Sequence, residues 1–286
     1  MEEKDWRILH MLSEEKNITK AAQKLYLSQP SITYRVQQIE KEFGVPLLIR
    51  KKTGVEFTEP GHSLVAYAKK MLTDLQNIKD QMANHSVTIK GTLRLGVSST
   101  FARYKLPELL KNFLDDNPGV EINVKTGWST DIIQCMIKEE VHIGIVRGEP
   151  RWIEEKRRLF SESIYIVSKH ELDLNKLPTL PWINYQTDPA FKNVIDNWWL
   201  DNYPTLQPGI TMEVDNLETC KAFVKQGLGY AVLPEISLQK TDQLCLHPMT
   251  TKEEFALRRN TWLIFRKEML GLAVVTAFVN FIASYF

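Results

Sequence analysis

Two short helices separated by a tight break, the second opening on polar residues, are written into residues 17 to 44. Asn17 or Thr19 can cap the first of the pair, which runs through Ala21, Ala22 and Leu25. After Tyr26-Leu27 comes Ser28, a good N-cap because its hydroxyl accepts from an otherwise free backbone N–H. Pro30 then falls in the first helical turn, where its missing N–H costs little. The helix continues through Ile32, Val36 and Ile39 to about Phe43, and Gly44 can end it. An earlier stripe of Trp6, Leu9 and Leu12 marks a preceding helix. This is a helix-turn-helix layout, in which the second helix of the pair enters a DNA major groove.

The following segments extend the pattern. Leu47-Leu48-Ile49 and Val55-Glu56-Phe57-Thr58 flank Arg50-Lys51-Lys52-Thr53-Gly54, which predicts a hairpin wing with a positive tip. Thr58-Glu59-Pro60 opens a long helix whose Leu64, Ala68, Met71, Leu75, Ile78 and Met82 alternate at spacings of four and three. Such a seam packs on another helix, most simply its copy in a second chain, or else on its own domain. Residues 84 to 91 read as a linker. Strands and helices then alternate: strands at 93–97, 120–124, 142–146, 182–185, 210–214 and 230–233, helices at 105–114, 131–139, 191–202 and 217–226. That alternation predicts βαβ units, largely parallel sheets, and ligand binding in a crevice between two halves.

Charge is distributed locally rather than globally. The whole chain is +1 with 25% charged and 43% hydrophobic residues, as for a soluble globular protein. Between residues 16 and 55, however, Lys16, Lys20, Lys24, Arg35, Lys41, Arg50, Lys51 and Lys52 oppose only Glu40 and Glu42. A basic face of this kind can neutralise phosphates whatever the total charge. Cys135, Cys220 and Cys245 lack metal or redox spacing, and His10, His62, His85, His142, His170 and His247 are scattered. No triad, paired-carboxylate or phosphate-loop signature appears, so neither an enzyme nor a metal or other cofactor is expected. The acidic N-terminus does not read as a signal peptide, which predicts a cytoplasmic protein. The uncharged segment 270–286 is too short to span a membrane, and Leu272, Val275, Val279 and Ile282 suit a terminal helix docked on a core.

The run from Asn17 to Ser31, with its Ala21-Ala22 pair and Ser28-Gln29-Pro30, resembles the helix-turn-helix of LysR-type transcriptional regulators. The likeness continues through Gln38-Ile39-Glu40, Phe43-Gly44-Val45-Pro46-Leu47, Arg50 and Thr58-Glu59-Pro60-Gly61, and returns at Val224 to Pro234. The resemblance implies two domains: an N-terminal all-α winged helix-turn-helix with a long linker helix, and a C-terminal α/β effector domain of type 2 periplasmic-binding-protein fold. The implied parts are 1–58, a coiled-coil helix at 59–86, and 91–286. The last divides into a first half-domain (91–164 and 266–286) and a second (165–265). It further implies double-stranded operator DNA, a small-molecule effector and self-association as a dimer or tetramer, with RNA polymerase a candidate partner.

The DNA-contacting set expected from these readings is Thr19, Ser28, Gln29, Pro30, Ser31, Thr33, Tyr34, Arg35, Arg50, Lys51, Lys52 and Thr53. Gln29 can pair bidentately with an adenine edge, whereas Arg50 to Thr53 would lie along the backbone or a minor groove. Family members often carry Arg where this chain has Tyr34. The effector set is Ser98, Ser99, Thr100, Phe101, Trp128, Ser129, Thr130, Arg147, Tyr185, Gln186 and Asp215. Hydroxyls and free N–H groups at strand-to-helix junctions suit an anion, and Arg147 could add a guanidinium grip on a carboxylate. The expected effector is therefore an organic anion; the competing reading is a DNA-binding or architectural protein without one.

Overall fold

The computed structural model describes residues 1–51, 54–83, 89–206 and 208–286, with side chains except at 77 and 80–83. The chain divides into two compact units, Met1–His85 and Ser86–Phe286.

The first unit comprises α1 (Glu3–Glu15), α2 (Ile18–Lys24), α3 (Gln29–Phe43), β1 (Leu48–Lys51), β2 (Gly54–Phe57) and α4 (Glu59–Ala83). The caps follow from local chemistry. Asn17 Oδ1 accepts the Lys20 N–H at 3.0 Å and Ser28 Oγ accepts the Ser31 N–H at 3.3 Å. Gly44 closes α3 at φ +71°, a left-handed conformation that glycine adopts without steric penalty. Ile8, Leu12, Ala21, Ala22, Ile32, Val36 and Val55 form one core cluster, and Leu9, Ile39, Leu47, Val65 and Ala68 form a second.

The hairpin is held from both sides. Glu40 Oε1 accepts the Leu47 and Leu48 N–H groups at 2.7 and 3.1 Å, and the Val55 N–H reaches the Lys16 carbonyl at 2.9 Å. Thr58 Oγ1 donates to the Pro46 carbonyl at 2.7 Å and accepts the Gly61 N–H at 3.1 Å, which starts α4. Of the heptad seam, Ala68 is fully buried against the unit's own core while Ile78 is 48% exposed. Ala68 and Leu64 thus serve the fold of this chain and Ile78 faces solvent, while the Met82 side chain lies outside the described residues.

The second unit holds β3 (Gly91–Ser98), α5 (Ser99–Tyr104), α6 (Leu106–Asp116), β4 (Val120–Gly127), α7 (Ser129–Ile137), β5 (Ile143–Arg147) and β6 (Glu155–Ser168). It continues with β7 (Trp182–Tyr185), α8 (Pro189–Asn202), β8 (Ile210–Val214), α9 (Leu217–Lys225), β9 (Ala231–Pro234), β10 (Cys245–Pro248), β11 (Arg258–Phe265) and α10 (Ala273–Tyr285). A seven-stranded sheet runs β10-β6-β11-β5-β3-β4 with β9 also on β6, and β7 pairs β8 in a small parallel sheet.

The expectation of largely parallel sheets is corrected here. β3 pairs β4 and β5 in parallel, but β6 is antiparallel to β9, β10 and β11, and β11 is antiparallel to β5. These long strands escaped the sequence pattern because β6 opens on the charged run Glu155-Lys156-Arg157-Arg158 and β11 on Arg258-Arg259-Asn260. Only their later residues carry an apolar signal.

Two cores flank these strands. One gathers Leu93, Leu95, Phe101, Phe113 and α10, whose Val275, Val279 and Ile282 are buried together with Leu272. The other gathers Trp182, Tyr185, Phe191, Trp198, Trp199 and Tyr230. β6 serves both, through Leu159 in the first and Ile164, Ile166 and Val167 in the second. Among the described residues no helix is long and apolar enough to cross a membrane, and no His/Cys/Asp/Glu group could hold a metal.

Two predictions follow from this packing. A Cβ at Gly61 would collide with the Leu47 carbonyl oxygen. Gly61→Ala should destabilise the N-terminal unit by about 1–3 kcal/mol, read as a lower melting temperature by calorimetry. His142 is buried, and its Nδ1 accepts the Arg94 N–H at 3.2 Å, so it must be unprotonated there. Burial, and secondarily the charge of Arg94, hold its pKa down to about 3. The unfolded chain binds this proton first, so stability should be constant above about pH 6.5 and fall as pH drops from there towards 3. His142→Gln should flatten that slope in urea titrations at stepped pH.

Candidate functional site

In the first unit the exposed face of α3 carries Gln29, Pro30, Ser31 and Tyr34, the last 59% exposed, with Thr19 exposed on α2. Their exposure follows from the wheel: Ile32, Val36 and Ile39 occupy the buried side, leaving these residues facing solvent. Ser28 also caps α3, with its hydroxyl 2.8 Å from that of Ser31. Thr33 is half-buried and its hydroxyl has no hydrogen-bond partner.

Arg35 is engaged inside the domain. Its guanidinium lies 2.5 Å from Asp5, a carboxylate only 2% exposed, and 3.8 Å from Glu2. Asp5 also accepts the Glu2 N–H at 2.8 Å, so Arg35 anchors the start of α1 to α3. Lys24 pairs with Glu15 and Lys51 with Glu56, each at 2.5 Å. Lys16, Lys20, Lys41 and Arg50 have no ion pair among the described residues. Lys52 and Thr53 lie outside the described residues. The basic face is thus smaller than its sequence count, because partners at positions 5, 15 and 56 come from outside the segment or from the opposite strand.

In the second unit the loops that follow the strands converge on a cleft of about 710 Å³. Ser98, Ser99 and Thr100 line it at the β3–α5 junction, Trp128 and Ser129 at the β4–α7 junction, and Arg147 at the end of β5. Tyr185, Gln186 and Asp215 line it from the other core's elements. Two expected residues are corrected. Phe101 is fully buried in the first core, where it stacks with Phe160 at 6.2 Å, because its side of α5 packs inward. Thr130 is exposed but does not line the cleft, one helical position beyond Ser129.

The polar groups divide into satisfied and unsatisfied. The Ser129 N–H donates to Asp188 Oδ2 at 2.8 Å, and Ser129 Oγ accepts the Arg147 N–H at 3.0 Å. Asp188 caps α8 as well, accepting the Ala190 N–H at 3.0 Å. A carboxylate of the protein therefore already occupies the N-terminus of α7, where an anion was expected. The Arg147 side chain, 1% exposed, pairs with Glu162, whose other oxygen accepts the Ile236 N–H at 2.7 Å. Burial and the neighbouring Arg259 hold the Arg147 pKa well below the ordinary guanidinium value.

Sequence reasoning did not single out Arg259, which opens β11 and is 7% exposed. It lies over the Phe191 ring at 4.3 Å, and burial lowers its pKa to about 10 while Tyr185 and Asp188 act in the opposite sense. No carboxylate among the described residues pairs with it, and its Nε has no hydrogen-bond partner. The hydroxyls of Ser98 and Tyr185 are likewise buried without partners. At the mouth, Glu218 Oε1 accepts from Tyr104 Oη and forms an ion pair with Arg103 Nε at 3.0 Å.

Comparison with known proteins agrees with both units. The family model for the LysR substrate binding domain matches residues 88–286, and that for bacterial regulatory helix-turn-helix proteins of the lysR family matches residues 4–62. The chain is 45% identical over 282 residues to the uncharacterized HTH-type transcriptional regulator YraN of Bacillus subtilis (strain 168), covering 99% of this chain and 97% of that protein. Another B. subtilis HTH-type regulator, YkuM, is 32% identical over 284 residues, again with 99% and 97% coverage. In fold the chain is similar to CbnR, a LysR family transcriptional regulator, at a TM-score of 0.72, 20% identity and 99% coverage of both chains. It is also similar to full-length CbnR complexed with its target DNA, at 0.73, 21% and 100% of both. This chain belongs to the LysR family of bacterial helix-turn-helix regulatory proteins and is a LysR-type DNA-binding transcriptional regulator with a substrate-binding domain.

Proposed function

We propose that this regulator senses a small carboxylate-bearing molecule in the cleft of its second unit and thereby changes how its α3 helices hold DNA. The observation that carries the reading is Arg259, a buried guanidinium on the cleft wall that has no ion pair among the described residues. An uncompensated buried charge is costly, and an anionic ligand group would offset that cost. The hydroxyls of Ser98 and Tyr185 supply further donors to the same ligand, with Ser99, Thr100, Trp128 and Gln186 around them. Arg147, paired with Glu162 through Nη2, keeps Nε and Nη1 without partners and adds donors to the same ligand beside Arg259.

The parts we assign are the winged helix-turn-helix at 1–58, the linker helix at 59–86 and the effector domain at 91–286, divided into its two half-domains as above. Reading falls to Gln29, Pro30, Ser31 and Tyr34, with Thr19, Ser28 and Thr33 in support, and Arg50 to Thr53 on the backbone. Self-association as a dimer or tetramer uses the α4 seam, on which Ile78 is exposed. The protein works in the cytoplasm, and RNA polymerase is a further candidate partner. Regulation requires the ligand to prefer one of two arrangements of the assembly.

The test of the sensor is a thermal-shift and calorimetric screen of organic acids on the full chain. A binder should lose about tenfold or more in affinity with Arg259→Gln and less with Thr100→Val. Stabilisation only by cationic or uncharged compounds would sink the carboxylate reading, and none by any metabolite would favour a regulator without an effector. On the DNA side, Gln29→Ala should cost about 1–3 kcal/mol of specific binding and relax one base position in footprinting. Arg35→Met should instead cost about 1–2 kcal/mol of folding stability, discounted because a third of its side chain is in solvent, and leave base preference unchanged.

A further inference from the structure

The cleft is polarised. Of the charges that line it, Arg103 is paired with Glu218 at 3.0 Å, and Asp188 is satisfied by two backbone N–H groups at 2.8 and 3.0 Å. Arg147 has its charge paired by Glu162 through Nη2, while its Nε and Nη1 keep no hydrogen-bond partner. Two charges of opposite sign remain. Arg259 is one, buried and without an ion pair among the described residues. Asp215, at the entrance of α9, is the other: it accepts from the Asn216 side-chain amide at 2.7 Å and has no ion pair among the described residues. Three residues on, Glu218 meets Tyr104 and Arg103 through Oε1, which leaves Oε2 without a donor among the described residues.

From this arrangement we infer that the ligand is a zwitterion of the amino-acid class, its carboxylate held at Arg259 and its ammonium at Asp215 and Glu218 Oε2. The inference rests on the carboxylate reading above and narrows it. A dicarboxylate would set its second charge near Asp215, the lip carboxylate that no cation among the described residues neutralises, since Arg103 is paired with Glu218. A monocarboxylate without an amine would satisfy Arg259 but leave Asp215 and Glu218 Oε2 with water alone. An ammonium supplies three charge-assisted donors to these acceptors at the cleft mouth. The volume of about 710 Å³ lies in the range of small-molecule sites and accommodates such a ligand.

The test uses the full-length protein and three matched sets of probes: the protein L-amino acids, the 2-hydroxy acids in which hydroxyl replaces ammonium, and the amines that lack the carboxylate. At least one amino acid should raise the melting temperature by several degrees at millimolar concentration, and its hydroxy-acid counterpart should bind about tenfold or more weakly by calorimetry. Asp215→Asn removes charge from an exposed side chain that the fold does not need. It should weaken the amino acid by a similar factor and leave the hydroxy acid unchanged. Stabilisation by simple carboxylates as strong as that by any amino acid, and indifferent to Asp215→Asn, would overturn the zwitterion and leave the carboxylate reading standing. No stabilisation by any member of the three sets, or by amines alone, would overturn both.

Discussion

Strand β6 reaches from one hydrophobic core of the second unit to the other, and its antiparallel ladder with β11 decides where the cleft's charges sit. Glu162 and Arg259 face each other in register on this ladder, and Arg147 lies at the end of β5, which pairs with β11 through Thr261. Each of these side chains is buried in the region where neither core is fully apolar. A regular backbone holds them more tightly than loops would, because shifting one residue along a strand reverses its face. The small parallel sheet of β7 and β8 then brings Tyr185 and Asp215 to the same opening.

Burying two guanidinium groups side by side is unfavourable unless something offsets it. Glu162 does so for Arg147, and it is itself fixed by the Ile236 N–H. Arg259 has the Phe191 ring, which can hold a cation electrostatically but not accept its hydrogen bonds. The two differ in charge pairing, since Arg147 has a carboxylate and Arg259 has none among the described residues. Both keep guanidinium nitrogens without hydrogen-bond partners on the cleft wall. Asp188 adds the complementary point, since it places a protein carboxylate on the N-terminus of α7 and so withdraws that helix end from ligand binding.

The DNA-binding unit shows the same economy of charge. Lys24, Arg35 and Lys51 each meet a carboxylate, so the residues that hold the three helices and the hairpin together are drawn from the same basic set that could neutralise phosphates. Exposed pairs such as Lys51 with Glu56 are weak and can exchange partners for a phosphate. The Arg35 pair with a nearly buried Asp5 is different in kind, because releasing the arginine would strand a carboxylate away from water.

The sequence by itself determined what short-range chemistry controls. The caps at Asn17 and Ser28, the stop at Gly44, the hairpin, the alternating elements after Thr92 and the buried stripe of α10 were all legible, since each depends on residues within a few positions of one another. Several cleft residues were legible too, because strand ends in such folds gather at one opening. Only the tertiary structure decided the rest. It took Phe101 into the core, gave Arg147 to Glu162 and left Arg259 open, and it split the α4 seam between the chain's own core and solvent. Those outcomes turn on pairings between residues far apart in the chain, such as Arg35 with Asp5 or Arg103 with Glu218, and on two long strands whose charged openings hid them. Whether a charged side chain is spent on the fold or left for a ligand depends on which partner reaches it, and that partner is set by packing rather than by neighbours in sequence.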